Sequence, residues 1–249
     1  GSGSTIMGYA GICEASNLQS NSDPYFHSKN FDELVAYSTG GGSVCATSTT
    51  STGNHAPVVN AGASFNIPMQ TPFTVTGSAT DPDGDTRTYA WEEYDLGTAS
   101  PPEGDDTAER PIFRTFNPVA SPSRTFPKLS DILNNTSTLG ESMPQRTRTM
   151  TFRLTARDNR SGGGGVDSAS TTVNVTSTAG PFVVTAPNSA VTWNASTSQA
   201  INWNVANTNL APVSCSAVDI RLSIDGGQSF PTLLVANTLP VGVAVPFED

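Results

Sequence analysis

The stretch ATDPDGDTRTYAW places Asp81, Asp83 and Asp85 on alternate residues, with Pro82 and Gly84 bending the chain between them. Three carboxylates so close repel one another unless something positive or hydrogen-bonding neutralises them. Oxygen ligands of this kind suit Ca²⁺. The order is similar to the first half of an EF-hand loop, but the glycine follows the second aspartate instead of the third, so this is not an EF-hand. The same residues also make a good β-turn, with aspartate side chains accepting backbone N–H groups. A calcium corner and a plain turn both fit the residues.

Strands must hold that loop in place. FTVTGSAT puts Phe73, Val75, Gly77 and Ala79 on one face, and TYAWEEY carries Trp91. TMTFRLTARD aligns Met150, Phe152, Leu154 and Ala156, and ASTTVNVTS aligns Thr171, Val173 and Val175. A period of two, broken by Gly, Pro and Asp turns, indicates an immunoglobulin-like β-sandwich over residues 53–178. Its B–C and F–G loops meet at one end. That arrangement is expected to bring Asp158 and Asn60 to Asp81, Asp83 and Asp85 as further calcium ligands.

Residues 96–146 form a long Pro-rich insertion, uncommon inside a domain unless it binds a partner or packs on a neighbour. Packing through Phe113, Phe116 and Phe126 is the commoner reason. Residues 1–52 differ in style. NFDELVAYSTGGG predicts a helix capped by Asn30 and Glu33, with Phe31, Leu34 and Val35 as its apolar stripe and Gly40 as its stop. Residues 179–249 alternate again, with Val218, Ile220, Leu222 and Ile224 inward ahead of an Asp225-Gly226-Gly227 hairpin turn. This predicts a second small β-module, shorter than a complete one.

The balance of 22 acidic to 12 basic residues gives a formal charge of -10. No basic cluster could track a phosphate backbone, which argues against nucleic acid. No apolar run approaches the ~20 residues that span a bilayer. Charged residues are 14% of the 249, so Ser, Thr and Asn must dress the surface, a habit of secreted β-rich proteins. In that setting a Cys13–Cys45 disulfide is expected to contribute roughly 3–4 kcal/mol, the alternative being two buried thiols. Cys215 is left as a buried thiol or pairs outside these residues.

TIMGY, at Thr5–Tyr9, resembles the Met-turn of the metzincin zinc metallopeptidases, with Met7 and Tyr9 on its Met and Tyr positions. The likeness continues through AGIC and NSDPYFHSKNFDELVAY to the last helix of reprolysin-like proteases secreted by bacteria. The resemblance implies that Met7 is a floor beneath a catalytic zinc. The zinc motif itself, H-E-x-x-H-x-x-G-x-x-H, is absent, since the two histidines are His27 and His55. The chain is therefore expected not to bind zinc or cleave peptides, and to be the non-catalytic C-terminal part of a larger peptidase. His27, just before a helix, suits a local hydrogen bond better than a metal.

The DPDGD loop and its strands are similar to PKD and cadherin-like modules, which often hold calcium. That likeness implies an extracellular spacer, or a module that binds a substrate protein or a protein or polysaccharide at a cell surface. The alternative is a calcium-stabilised surface adhesin with no protease role.

Overall fold

The computed structural model describes residues 3–45, 52–98, 101–102, 106, 109–194, 197–238 and 243–246. A 3-10 turn (Ile6–Gly8) and helix α1 (Ser28–Thr39) come first. Strands β1 (Val58–Asn60), β2 (Phe65–Pro68), β3 (Phe73–Thr76), β4 (Ser78–Thr80) and β5 (Thr88–Glu93) follow. The insertion supplies β6 (Ser123–Phe126) and helix α2 (Leu129–Asn134), and β7 (Arg148–Arg157) and β8 (Val166–Thr176) complete the central unit. The last block holds β9 (Val183–Ala186), β10 (Ser198–Asn204), β11 (Val218–Leu222), β12 (Thr232–Thr238) and β13 (Val243–Pro246). The protein is mainly β.

In the central unit a four-stranded sheet runs β2-β8-β7-β5, parallel only between β2 and β8. Across from it lie the pairs β3–β6 and β1–β4. The period-two pattern decides which face is buried. Met150, Phe152, Leu154 and Ala156 are fully covered, and Val173, Val75 and Trp91 join them in one core. The predicted single strand FTVTGSAT is split at Gly77, where its first half pairs with β6 and its second with β1. A side chain at Gly77 would meet the Leu154 side chain and stand 2.7 Å from the Asn60 carbonyl. Only glycine lets the backbone approach that closely.

The insertion belongs to this core. Phe113 and Phe126 pack with Phe73 and Phe152, Phe126 lying 4.9 Å from Phe113 and 4.7 Å from Phe152 by ring centroid. Phe116 stays half-buried, with the cations of Arg114, Arg124 and Lys128 within 5.6 Å of its ring. Buried hydrogen bonds add to the packing. Glu93 accepts the amides of Ile112 at 2.7 Å and Phe113 at 2.9 Å, while Arg148 bridges Glu93 to Asp106. Arg124 donates to the Trp91 carbonyl at 2.8 Å and to Glu141 at 2.8 Å.

Two sequence expectations change in the first block. Helix α1 begins at Ser28, two residues before the expected cap Asn30, with His27 at the cap position and no side chain of its own segment capping it. Its stripe is not buried either: Leu34 is 43% and Val35 57% exposed. The helix is instead held by polar contacts with β5 and β7. Cys13 is a half-buried thiol, and the Cys45 side chain, the other half of the expected Cys13–Cys45 bridge, lies outside the described residues.

The last block builds two small sheets, β13-β10-β9 and β11-β12. Ala179 and Trp203 are its buried apolar residues among those described, Trp203 lying 6.4 Å from Phe182. Ile224, expected inward, is 82% exposed, because it has already left β11 for the turn. The Asp225-Gly226-Gly227 turn does join β11 to β12, and Gly227 is buried against Leu133 of α2.

Candidate functional site

The loop after β4 is organised as a turn. Asp81 accepts the amides of Asp83 at 2.9 Å and Asp85 at 3.1 Å through one carboxylate oxygen, and Gly84 takes the left-handed φ of +80°. One oxygen or more from each of Asp81, Asp83 and Asp85 lies within 4.8 Å of the others, the only such group of His, Cys, Asp or Glu among the described residues. Oxygens bound to one Ca²⁺ at 2.3–2.6 Å lie no further apart than about 5 Å, so the three could share a cation. The second oxygens of Asp81 and Asp85 are shielded and accept no hydrogen bond. Glu92, the twelfth residue counted from Asp81, is nowhere near this corner: it sits on β5 against His27 and Ser28.

One protein cation and a histidine already reach the corner. His55 donates its amide to Asp83 at 2.6 Å and places Nδ1 at 3.0 Å. Arg160 lies 3.6 Å from both Asp83 and Asp85. The His55 amide, then its side chain, hold the Asp83 carboxyl below its ordinary range. Neither His55 nor Arg160 was picked out in the sequence as part of this corner. Both precede or follow loops whose convergence only the fold creates.

The two remaining predicted ligands are placed elsewhere. The loops after β4 and after β7 do meet, but through Arg160 and through Asn159, which pairs with Thr88 at 3.2 Å. The Asp158 side chain turns away to Asn54 at 2.7 Å and to the amides of Gly165 at 2.7 Å and Arg160 at 3.1 Å. Burial pushes its carboxyl up, yet those hydrogen bonds prevail and leave it low. Asn60 pairs with Ser78, whereas it is Val58 that faces Thr80 beside the corner. The antiparallel register thus carries Asn60 to the far end of β1, where its side chain accepts the Gly62 amide at 2.8 Å.

A second place joins the first block to the central unit. Thr5-Ile6-Met7-Gly8-Tyr9 folds as a 3-10 turn closed by Tyr9 in the left-handed region, φ 54°. Met7 and Tyr9 are 46% and 67% exposed. Behind them, His27 accepts the Ser4 amide on Nε2 at 3.3 Å, which leaves Nδ1 as the protonated nitrogen, donating to Glu92 at 2.7 Å. The other Glu92 oxygen accepts the Ser28 amide at 2.6 Å, so a carboxylate from β5 caps α1. Arg153 grips Asp32 with two hydrogen bonds of 2.7 and 2.9 Å, and Asp32 also accepts from Tyr94. Tyr25 donates to Thr115 at 2.9 Å, and burial pushes its phenol up to about 12. His27 and His55 lie at these two separate places, one against Glu92 and the other against Asp83.

No protein-family model matches the chain, and no curated protein matches it.

Proposed function

We propose that this chain is the non-catalytic C-terminal portion of a secreted bacterial zinc metallopeptidase. Its first block would be the end of a metzincin-like catalytic domain. Its central unit would be an immunoglobulin-like, PKD or cadherin-like module, followed by a second small β-module. The observation that carries the reading is TIMGY, folded as a tight exposed turn and followed by a helix seated on β5 through Glu92. A turn of that kind would serve as a floor, and its apolar residues Met7 and Tyr9 are exposed rather than spent in the core. Zinc chemistry would belong to the larger protein, since His27 and His55 are committed to Glu92 and Asp83. The β-modules would space the catalytic domain, or hold substrate protein or a surface polysaccharide.

The test is the gene and its longer product. An H-E-x-x-H helix encoded upstream, with chelator-sensitive cleavage of casein by the longer product, supports the reading. A secretion signal encoded directly before Gly1 sinks it.

A second reading, a calcium-stabilised surface adhesin, is favoured by the Asp81, Asp83 and Asp85 group with its two oxygens lacking hydrogen bonds. Calcium there would fasten the loop that meets Arg160 and His55. Binding to an array of glycans and matrix proteins, with no peptidase encoded upstream, would select this reading over the first.

A further inference from the structure

The His27 ring sits between two partners of opposite character. On one edge Nδ1–H donates to the Glu92 carboxylate at 2.7 Å, and on the other Nε2 accepts the Ser4 amide at 3.3 Å. A second proton would go on Nε2, the atom that already faces an N–H. It would strengthen the tie to Glu92 and break the tie to Ser4. Ser4 is fully buried, so no water stands ready to take over as acceptor.

The ring has little room to turn away. Gly3 comes so near that a side chain there would stand 2.8 Å from Nε2, and Tyr25 lies edge-on, 6.3 Å between ring centroids. Lys29 of α1 and Arg114 line the same cleft as His27. Arg124 of β6 and Arg157 of β7 act on the charge of Glu92 and on Tyr25, and Asp23 acts on Tyr25.

The two edges of the ring belong to different pieces of structure. The Ser4 edge is the root of the exposed turn: Gly3 donates to the Gly8 carbonyl at 2.9 Å and Gly8 to the Thr5 carbonyl at 2.8 Å, closing residues 3–8 into one loop. The Glu92 edge is the root of α1, because the same carboxylate accepts the Ser28 amide at 2.6 Å.

We propose that His27 is a proton-operated latch: with one proton it holds the Ile6–Gly8 turn against the helix start, and with two it releases the turn while keeping its grip on β5. Histidine is the side chain that ordinarily changes charge between about pH 5 and pH 8. Acid would thus loosen the turn that carries Met7 and Tyr9 and leave α1 seated. The latch stands independently of the peptidase reading.

The test is hydrogen exchange of the Ser4 and Ser28 amides in the 249-residue chain, each rate divided by its intrinsic rate at that pH, with the His27 ring followed by NMR. Ser4 should lose roughly tenfold in protection as the ring takes its second proton, about the worth of one hydrogen bond. Ser28 should keep its protection. The expected loss is opposite in sign to the behaviour of the fold as a whole: burial pushes the Glu93 carboxyl up to about 8, so the protein tightens as pH falls. In His27→Gln, whose amide takes no proton, Ser4 protection should not vary with pH, and His55→Gln should leave the wild-type response in place. Constant Ser4 protection while the His27 ring titrates would overturn the latch. So would a joint loss at Ser4 and Ser28, which would mean that the first block lifts as one piece, or a response that disappears in His55→Gln. The comparison of Ser4 with Ser28 in the wild type decides the matter even where His27→Gln folds poorly.

Discussion

His27 Nδ1 lies 2.7 Å from Glu92 Oε1, and the second oxygen of that carboxylate caps the helix that follows His27. One buried side chain from β5 thus orients both an imidazole and a helix start from the first block. Glu92→Ala leaves the Ser28 amide and the His27 N–H without their acceptor. Hydrogen bonds to a charged group contribute about 1.5–3 kcal/mol each, so losing these two should destabilise the protein by about 3–6 kcal/mol. Urea unfolding checks it, and an unchanged midpoint would show that the first block is not fastened by this carboxylate.

Phe126 is fully buried among Phe73, Phe113 and Phe152. Phe126→Ala should cost about 3–5 kcal/mol, the usual penalty for an aromatic cavity. The loss should be accompanied by faster amide exchange in the insertion at Ile112 and Phe113. Slow exchange at those amides in the variant would mean that their hydrogen bonds to Glu93 hold the insertion without the aromatic packing.

Burial pushes the Glu93 carboxyl up from 4.5 to about 8, against the pull of Arg148 and the Ile112 and Phe113 amides. Burial pushes Glu141 up to about 7 in the same way, against Arg124. The folded state then holds protons that the unfolded chain has released above 4.5. The stabilisation is complete below 4.5 and is lost as pH rises to about 8. A melting temperature that falls across that window, and falls less in Glu93→Gln, is the expected result. Asp32 works in the opposite sense: the hydrogen bonds from Arg153 hold its carboxyl below 3.8, so its contribution disappears only in more acidic solution.

Under either functional reading, Ca²⁺ added after EGTA treatment should raise the melting temperature, and Asp83→Ala should abolish the rise. Differential scanning calorimetry measures both. A wild-type transition that ignores Ca²⁺ would assign the neutralising role to His55 and Arg160 alone.

Gly227 adopts φ +87° and packs its α-carbon on Leu133 of α2. Gly227→Ala forces a left-handed alanine and displaces Leu133, a cost of about 1–2 kcal/mol. Chemical denaturation should show the loss, and Gly226→Ala, which meets open space, should cost only its backbone strain.

The sequence by itself determined the long period-two strands β7 and β8 and which face of each is buried. The period of two at Met150–Ala156 and Thr171–Val175 admits one face for the core, because a one-residue slip would expose every apolar side chain. It also determined the turn chemistry of Asp81–Asp85 and of Asp225–Gly227, where short polar side chains and glycine act within a few residues. The tertiary structure decided what those pieces meet. Asn60 was drawn away from the aspartates by an antiparallel register, and Asp158 by the amides of its own loop. The cap of α1 came from Glu92 on a distant strand, and the aspartate corner drew His55 and Arg160. Such contacts carry no local pattern: a carboxylate on β5 looks the same in the sequence whether it faces water or a helix start, and only the packed chain sets which donor lies within reach.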